Sequence, residues 1–126
     1  MRTAQPWIRL VAALSGGLGV AMGAFTAHGV SDAHLRELLH TGAFYALVHA
    51  AAALALEARA PRAALSLAAG GLVFSASLYA LAAGAAPIVG IVTPLGGILM
   101  LLGWGLAAWT AWGGAGDKSH PRADER

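Results

Sequence analysis

From residue 63 to residue 116 the chain runs for 54 positions without a charged side chain. A soluble helix sets an apolar stripe against a polar face, so it does not sustain such a run. About 20 apolar residues cover a hydrocarbon core about 30 Å thick, and the run therefore holds two membrane crossings and a turn. Residues 10–31 and 38–56 are also free of charge. The long run divides at 84–93, which contains Pro87 and Gly90. The pattern predicts crossings at 9–28, 38–57, 62–83 and 94–113, followed by a disordered cytoplasmic tail over 114–126. The fold class that follows is all-α: an integral membrane four-helix bundle with short connections, occupying 1–113.

Three helix starts carry local signals. Thr93-Pro94 offers a capping hydroxyl followed by proline at the first helical position, where its missing N–H costs nothing. Pro61 marks the third crossing in the same way. Ser31-Asp32 caps a helix that begins at Ala33, outside the membrane, and continues into the second crossing.

Composition then fixes the class. The chain of 126 residues is 58% hydrophobic and 11% charged, where a soluble domain carries roughly a quarter. Its net charge is only +2, and the basic residues cluster at helix ends, so they read as topology signals and not as a nucleic-acid surface. No nucleic-acid partner is expected. With no cysteine, disulfides, thiolate metal sites and thiol nucleophiles are excluded.

Four crossings place the N-terminus, the 58–61 connection and the tail on one side. That side holds Arg2, Arg9, Arg59, Arg62, Lys118, Arg122 and Arg126, against Arg36 alone on the other. The bias predicts cytoplasmic termini, with Trp7, Trp109 and Trp112 as an interfacial belt on the same face. The first block also opens like a signal peptide. Its cleavage sites, however, would put Met22 or Phe25 where a small residue is required, so it is read as a retained helix.

Helices in lipid associate through close backbone approach and polar contacts. Ser15, Gly19, Gly23 and Ala27 recur at four-residue spacing on one face of the first crossing. This stripe suits either a second copy of the chain or a neighbouring helix within one chain, and internal packing comes first. Gly70, Gly71, Gly96 and Gly97 are assigned the same role in the later crossings.

Polar side chains at membrane depth are costly and each is a site hypothesis. His49 falls near the midplane, with Tyr45 one turn away on its face and Ser75 at a similar level. Tyr79, His40 and His28 fall nearer the outer boundary, and Thr93 completes this candidate layer. The residues suit interhelical hydrogen bonds that fix packing, a proton path or small-ligand pocket, or metal or haem ligation. Ligation is the weakest fit, because His40 and His49 are nine residues apart, roughly 900° of helical rotation, and face opposite sides of one helix. No metal or other cofactor is expected. No GxSxG, HExxH or paired intramembrane acids are present, and Asp32, Glu37 and Glu57 read as solvated or interfacial.

Several stretches together resemble one family. Gly23-Ala24-Phe25-Thr26-Ala27-His28-Gly29 is similar to its GAFGAHG signature, with Thr26 in place of glycine. His40-Thr41-Gly42, Tyr45 and His49-Ala50 resemble its second helix. Phe74-Ser75-Ala76-Ser77-Leu78-Tyr79 is similar to FSGSLY, with Ala76 in place of glycine. Thr93-Pro94-Leu95-Gly96-Gly97 and Gly103-Trp104 match its last helix. The family is the small integral membrane proteins filed as domain of unknown function 423, which includes the animal transmembrane protein 256.

The resemblance covers about residues 8–112. It implies a multi-pass protein, in the plasma membrane for bacterial members, and brings no catalytic assignment. Val48 stands where the family usually has a tyrosine, so no general role rests on that hydroxyl. The expected function is a non-enzymatic structural or accessory inner-membrane protein. The alternative is a carrier of protons or a small ligand through the His/Tyr/Ser layer. The expected partners are membrane lipids and either a second copy or another membrane protein.

Overall fold

The computed structural model describes residues 5–116. Four helices follow in chain order: α1 (Pro6–Gly29), α2 (Ala33–Leu56), α3 (Pro61–Ala82) and α4 (Val92–Gly116), with a 3-10 turn at Pro87–Ile91 before α4. Each is long and apolar enough to cross a membrane. At a rise of about 1.5 Å per residue, each exceeds a hydrocarbon core of about 30 Å. The helix α4 extends through Gly116, into the stretch expected to be disordered. The remainder of that expected tail, 117–126, lies outside the described residues.

The helix ends follow local chemistry. Asp32 accepts from the Leu35 amide at 2.8 Å and caps α2. Arg36 donates to the Val30 carbonyl through Nε and Nη2, at 3.2 and 2.7 Å, and closes the short turn between α1 and α2. The helix α3 ends at Ala82, and two residues on the chain turns at Gly84, whose φ of +89° is open to glycine. Its Gly84→Leu81 and Ala85→Ala80 amide-to-carbonyl bonds form a Schellman cap. The expected Thr93 cap is corrected. The 3-10 turn hands the chain into α4 one residue before Thr93, and the hydroxyl is spent on a neighbouring helix instead.

Packing runs between neighbours in sequence: α1 with α2, α2 with α3 and α3 with α4, while α1 touches α3 lightly. The interior is built of small residues. Among the described residues, alanine supplies nine of the fourteen buried apolar side chains, and Ile8 and Leu67 are the largest fully buried ones. Many bulky side chains point outward, with Leu14, Ile88 and Leu101 all more than 60% exposed. Such a surface would aggregate in water, and it suits lipid.

The small-residue stripe of α1 faces α2. A Cβ on Gly19 would meet the Ala43 carbonyl oxygen at 3.1 Å and the Ala46 Cβ at 3.2 Å. Ser15 is buried on the same side, Gly23 is half-buried, and Ala27 departs from the stripe because it is exposed. In its place, Thr26 is the buried residue of the last turns, with its hydroxyl returned to the Met22 carbonyl at 2.6 Å. The seam between α3 and α4 is closer still. A Cβ on Gly96 would lie 2.5 Å from the Phe74 nitrogen, and one on Gly70 2.7 Å from the Met100 nitrogen. Gly97 does not share this role, since a Cβ there meets nothing within 4 Å.

Gly96→Ala should therefore destabilise the protein by about 1–3 kcal/mol, because backbone must move to admit the methyl. Gly97→Ala should be neutral or slightly stabilising, as helix propensity alone favours alanine by up to about 1 kcal/mol. Thermal or denaturant unfolding of the two purified variants in detergent compares them directly.

Candidate functional site

His49 is the buried imidazole of the structure, 5% exposed, and it sits where α2, α3 and α4 meet. The helix α3 admits it by having no side chain at Gly71, where a Cβ would lie 2.8 Å from the His49 Cβ. Its Nδ1 lies 2.8 Å from the Tyr45 carbonyl oxygen, one turn earlier in α2. Its Nε2 accepts from the Trp104 indole N–H of α4 at 3.3 Å. A carbonyl can only accept and an indole N–H can only donate. These two partners therefore fix the tautomer with the proton on Nδ1 and the lone pair on Nε2. Both ring nitrogens are engaged.

Aromatic rings extend the site. Tyr45 stacks on His49 with centroids 5.7 Å apart and planes 6° from parallel, and it leans on Phe74 at 4.7 Å. Trp104 meets the imidazole edge-on at 6.2 Å. Between α2 and α4, floored by Phe74, these rings line an open cleft of about 410 Å³ with Met100 and Leu101.

The other residues expected to join this layer go elsewhere. Ser75 is buried and donates to the Gly42 carbonyl oxygen at 2.8 Å, tying α3 to α2. Tyr79 lies over the same glycine, and its buried hydroxyl has no partner among the described residues. Thr93 pairs with Ser77, with hydroxyl oxygens 2.7 Å apart. The Ser77 hydrogen goes to the Phe74 carbonyl oxygen at 2.7 Å, so Thr93 donates and Ser77 accepts. His28 and His40 are exposed and stand apart from His49. The expected layer is thus three separate interhelical ties and two surface histidines, not one connected path. Among the described residues, no group of three His, Asp or Glu side chains is placed to hold a metal ion.

Three functional contacts escaped the sequence reading. Trp104 carried a signal, since a tryptophan away from the membrane interfaces needs a partner for its N–H. Ser77 was hidden by assigning its partner Thr93 to a cap. The third is Glu57, read as solvated or interfacial, of which the solvated alternative is corrected. It is 4% exposed, just beyond the end of α2. Its Oε1 accepts from the Gln5 amide at 2.9 Å, and its Oε2 binds Arg9 through Nε at 2.8 Å and Nη2 at 2.7 Å. The carboxylate thus stands at the N-terminus of α1, whose own N-cap side chain forms no capping bond. A negative charge is favoured at that end of a helix. The Arg9 hydrogen bond, helped by the Gln5 amide and the Arg9 charge, outweighs burial and holds the Glu57 carboxyl below its ordinary value of 4.5.

Comparison with known proteins agrees with this architecture. A family model described as "Protein of unknown function (DUF423)" matches residues 22–97. That range contains Gly42, His49, Gly71, Ser75 and Gly96. The chain belongs to this family. Among its relatives, a UPF0382 membrane protein of Haemophilus influenzae is 44% identical over 102 residues, covering 73% of this chain and 82% of the relative. The UPF0382 inner membrane protein YgdD of Escherichia coli K12 is 37% identical over 108 residues, covering 77% and 82%. A UPF0382 membrane protein of Schizosaccharomyces pombe is 33% identical over 108 residues, covering 75% and 92%. No solved structure matches the chain. This DUF423 protein is a multi-pass membrane protein whose family carries no assigned activity.

Two outcomes follow from the site. Nitrogen-15 spectra of His49 should show a protonated Nδ1 and an unprotonated Nε2, and Trp104→Phe should shift the Nε2 resonance while the Tyr45 carbonyl keeps the proton on Nδ1, at a cost of about 0.6 kcal/mol of stability. At the α1 terminus the sign follows from the lowered carboxyl of Glu57. Its contribution is complete above the ordinary carboxylate value and is lost as pH falls through the folded one. The thermal stability of the wild type should therefore weaken more than that of Glu57→Gln as pH falls below the ordinary carboxylate value of 4.5.

Proposed function

We propose that this protein is a non-enzymatic structural or accessory component of the cell inner (plasma) membrane, with both termini in the cytoplasm. The observation that carries the reading is the state of His49. Its two ring nitrogens are used to join α2 to itself and to α4, which leaves the imidazole no vacant position for a ligand or a travelling proton. Ser75, Ser77 and Thr93 are likewise spent on neighbouring helices. A carrier would need these groups to connect with one another, and each is engaged locally.

The orientation rests on the distribution of cations. Seven Lys and Arg belong to the side of the termini and the 58–61 connection, and Arg36 alone belongs to the other. Arg36 is itself committed to the Val30 carbonyl. The Escherichia coli relative is named an inner membrane protein. The partners are membrane lipids and a second copy or another membrane protein on the lipid-facing surface of α4, where Leu101, Trp109 and Trp112 are strongly exposed.

Two measurements test this. A fluorescent protein fused at the C-terminus should fluoresce in the cytoplasm, and alkaline phosphatase should be active when inserted in the turns at 30–32 or 83–86 and inactive in the turn at 58–60. In liposomes carrying a pH gradient, the wild type should leak protons no faster than empty vesicles. Flux in the wild type that His49→Ala abolishes without unfolding would replace this reading with the carrier.

A further inference from the structure

At the end of the molecule that carries the 58–61 connection, Arg59, Pro61, Arg62, Leu106, Trp109 and Thr110 surround a cleft of about 450 Å³. It lies between the start of α3 and the last turns of α4. Both arginines are exposed. Three acids fall among the described residues. Asp32 and Glu37 stand at the far end of the helices, and Glu57 is occupied by Arg9 and the Gln5 amide. Two guanidinium groups therefore share one cleft with no carboxylate among the described residues to answer them.

The walls indicate what anion fits. Trp109 is 80% exposed in the last turns of α4, and an indole near the end of a membrane helix can bridge headgroup and hydrocarbon. Leu106 supplies an apolar wall below it. Guanidinium forks bind phosphate oxygens in pairs, and basic pockets between membrane helices take anionic headgroups. The first turn of α3 lines the same cleft and adds its partial positive charge.

We propose that this cleft binds the phosphodiester of an anionic phospholipid, held by Arg59 and Arg62, with Trp109 against its glycerol backbone. Arginines that serve only to orient the chain during insertion would need no such wall and no bound lipid. The site requires only that this end of the bundle lie at a membrane interface, so it stands apart from the question of which side is cytoplasmic.

The test uses the purified full chain, released from nanodiscs of equimolar phosphatidylglycerol and phosphatidylcholine and examined by native mass spectrometry. The wild type should retain phosphatidylglycerol in preference to phosphatidylcholine, with each arginine contributing roughly fivefold. Arg59→Gln/Arg62→Gln should bring the ratio close to one, and millimolar inorganic phosphate should not displace the lipid. Equal retention by the wild type, a preference that survives the double variant, or displacement by free phosphate would each overturn the proposal. On the wild type alone, brominated phosphatidylglycerol should quench tryptophan fluorescence more than brominated phosphatidylcholine, and Trp109→Phe should remove the difference. Equal quenching by the two lipids counts against the site even if the double variant does not fold.

Discussion

Lipid gives helices no reward for hiding apolar surface from one another, and the rest of this structure follows from that constraint. Association must come from contact between backbones and from polar groups that have no water to turn to. The residues that touch are accordingly the smallest available. Alanine fills the interior, and glycine stands wherever two helices press hardest, as at Gly70 and Gly96 between α3 and α4 and Gly71 beside His49. Apart from a few buried positions such as Ile8 and Leu67, leucine, isoleucine and tryptophan are turned outward, in reverse of a soluble core.

The same constraint explains the buried polar groups. In hydrocarbon an unpaired hydroxyl or ring nitrogen is expensive, and among the described residues all the buried ones but the Tyr79 hydroxyl are led to a partner on a neighbouring turn or helix. Ser75 finds a backbone carbonyl on α2, Thr93 finds Ser77, and His49 finds Trp104. The close approach that glycine permits is also what brings these partners within reach. Packing and hydrogen bonding are thus one device here, and the imidazole is a tie between helices before it is anything else.

The helix ends obey a different rule, since water and headgroups are at hand. Glu57 reaches across from the end of α2 to the first amides of α1 and binds Arg9 on the way, doing between elements what a capping side chain does within one. This consumes the one described acid at that end and leaves Arg59 and Arg62 facing outward. The contrast between the paired Arg9 and these two arginines gives the basic rim its shape.

The charge-free runs and the 3.6-residue rise were enough to read four membrane helices, and Asp32 and the cation bias were legible because caps and topology signals are local. The α1 stripe was legible as a small-residue face, but not its limits, because Ala27 and Thr26 differ only in how the end of α1 lies against α2. Thr93 misled for a related reason: a hydroxyl before proline satisfies the rule for a cap, and only the 3-10 turn and Ser77 take it elsewhere. Depth along a helix graded His49, then Tyr45 and Ser75, then Tyr79 toward the outer boundary, yet depth says nothing about rotation between helices. The sequence by itself determined the solvent, the number of helices and which residues were small enough to touch. The tertiary structure alone decided which polar atom meets which, because partners such as His49 and Trp104, 55 residues apart, are joined only by the angle at which their helices cross.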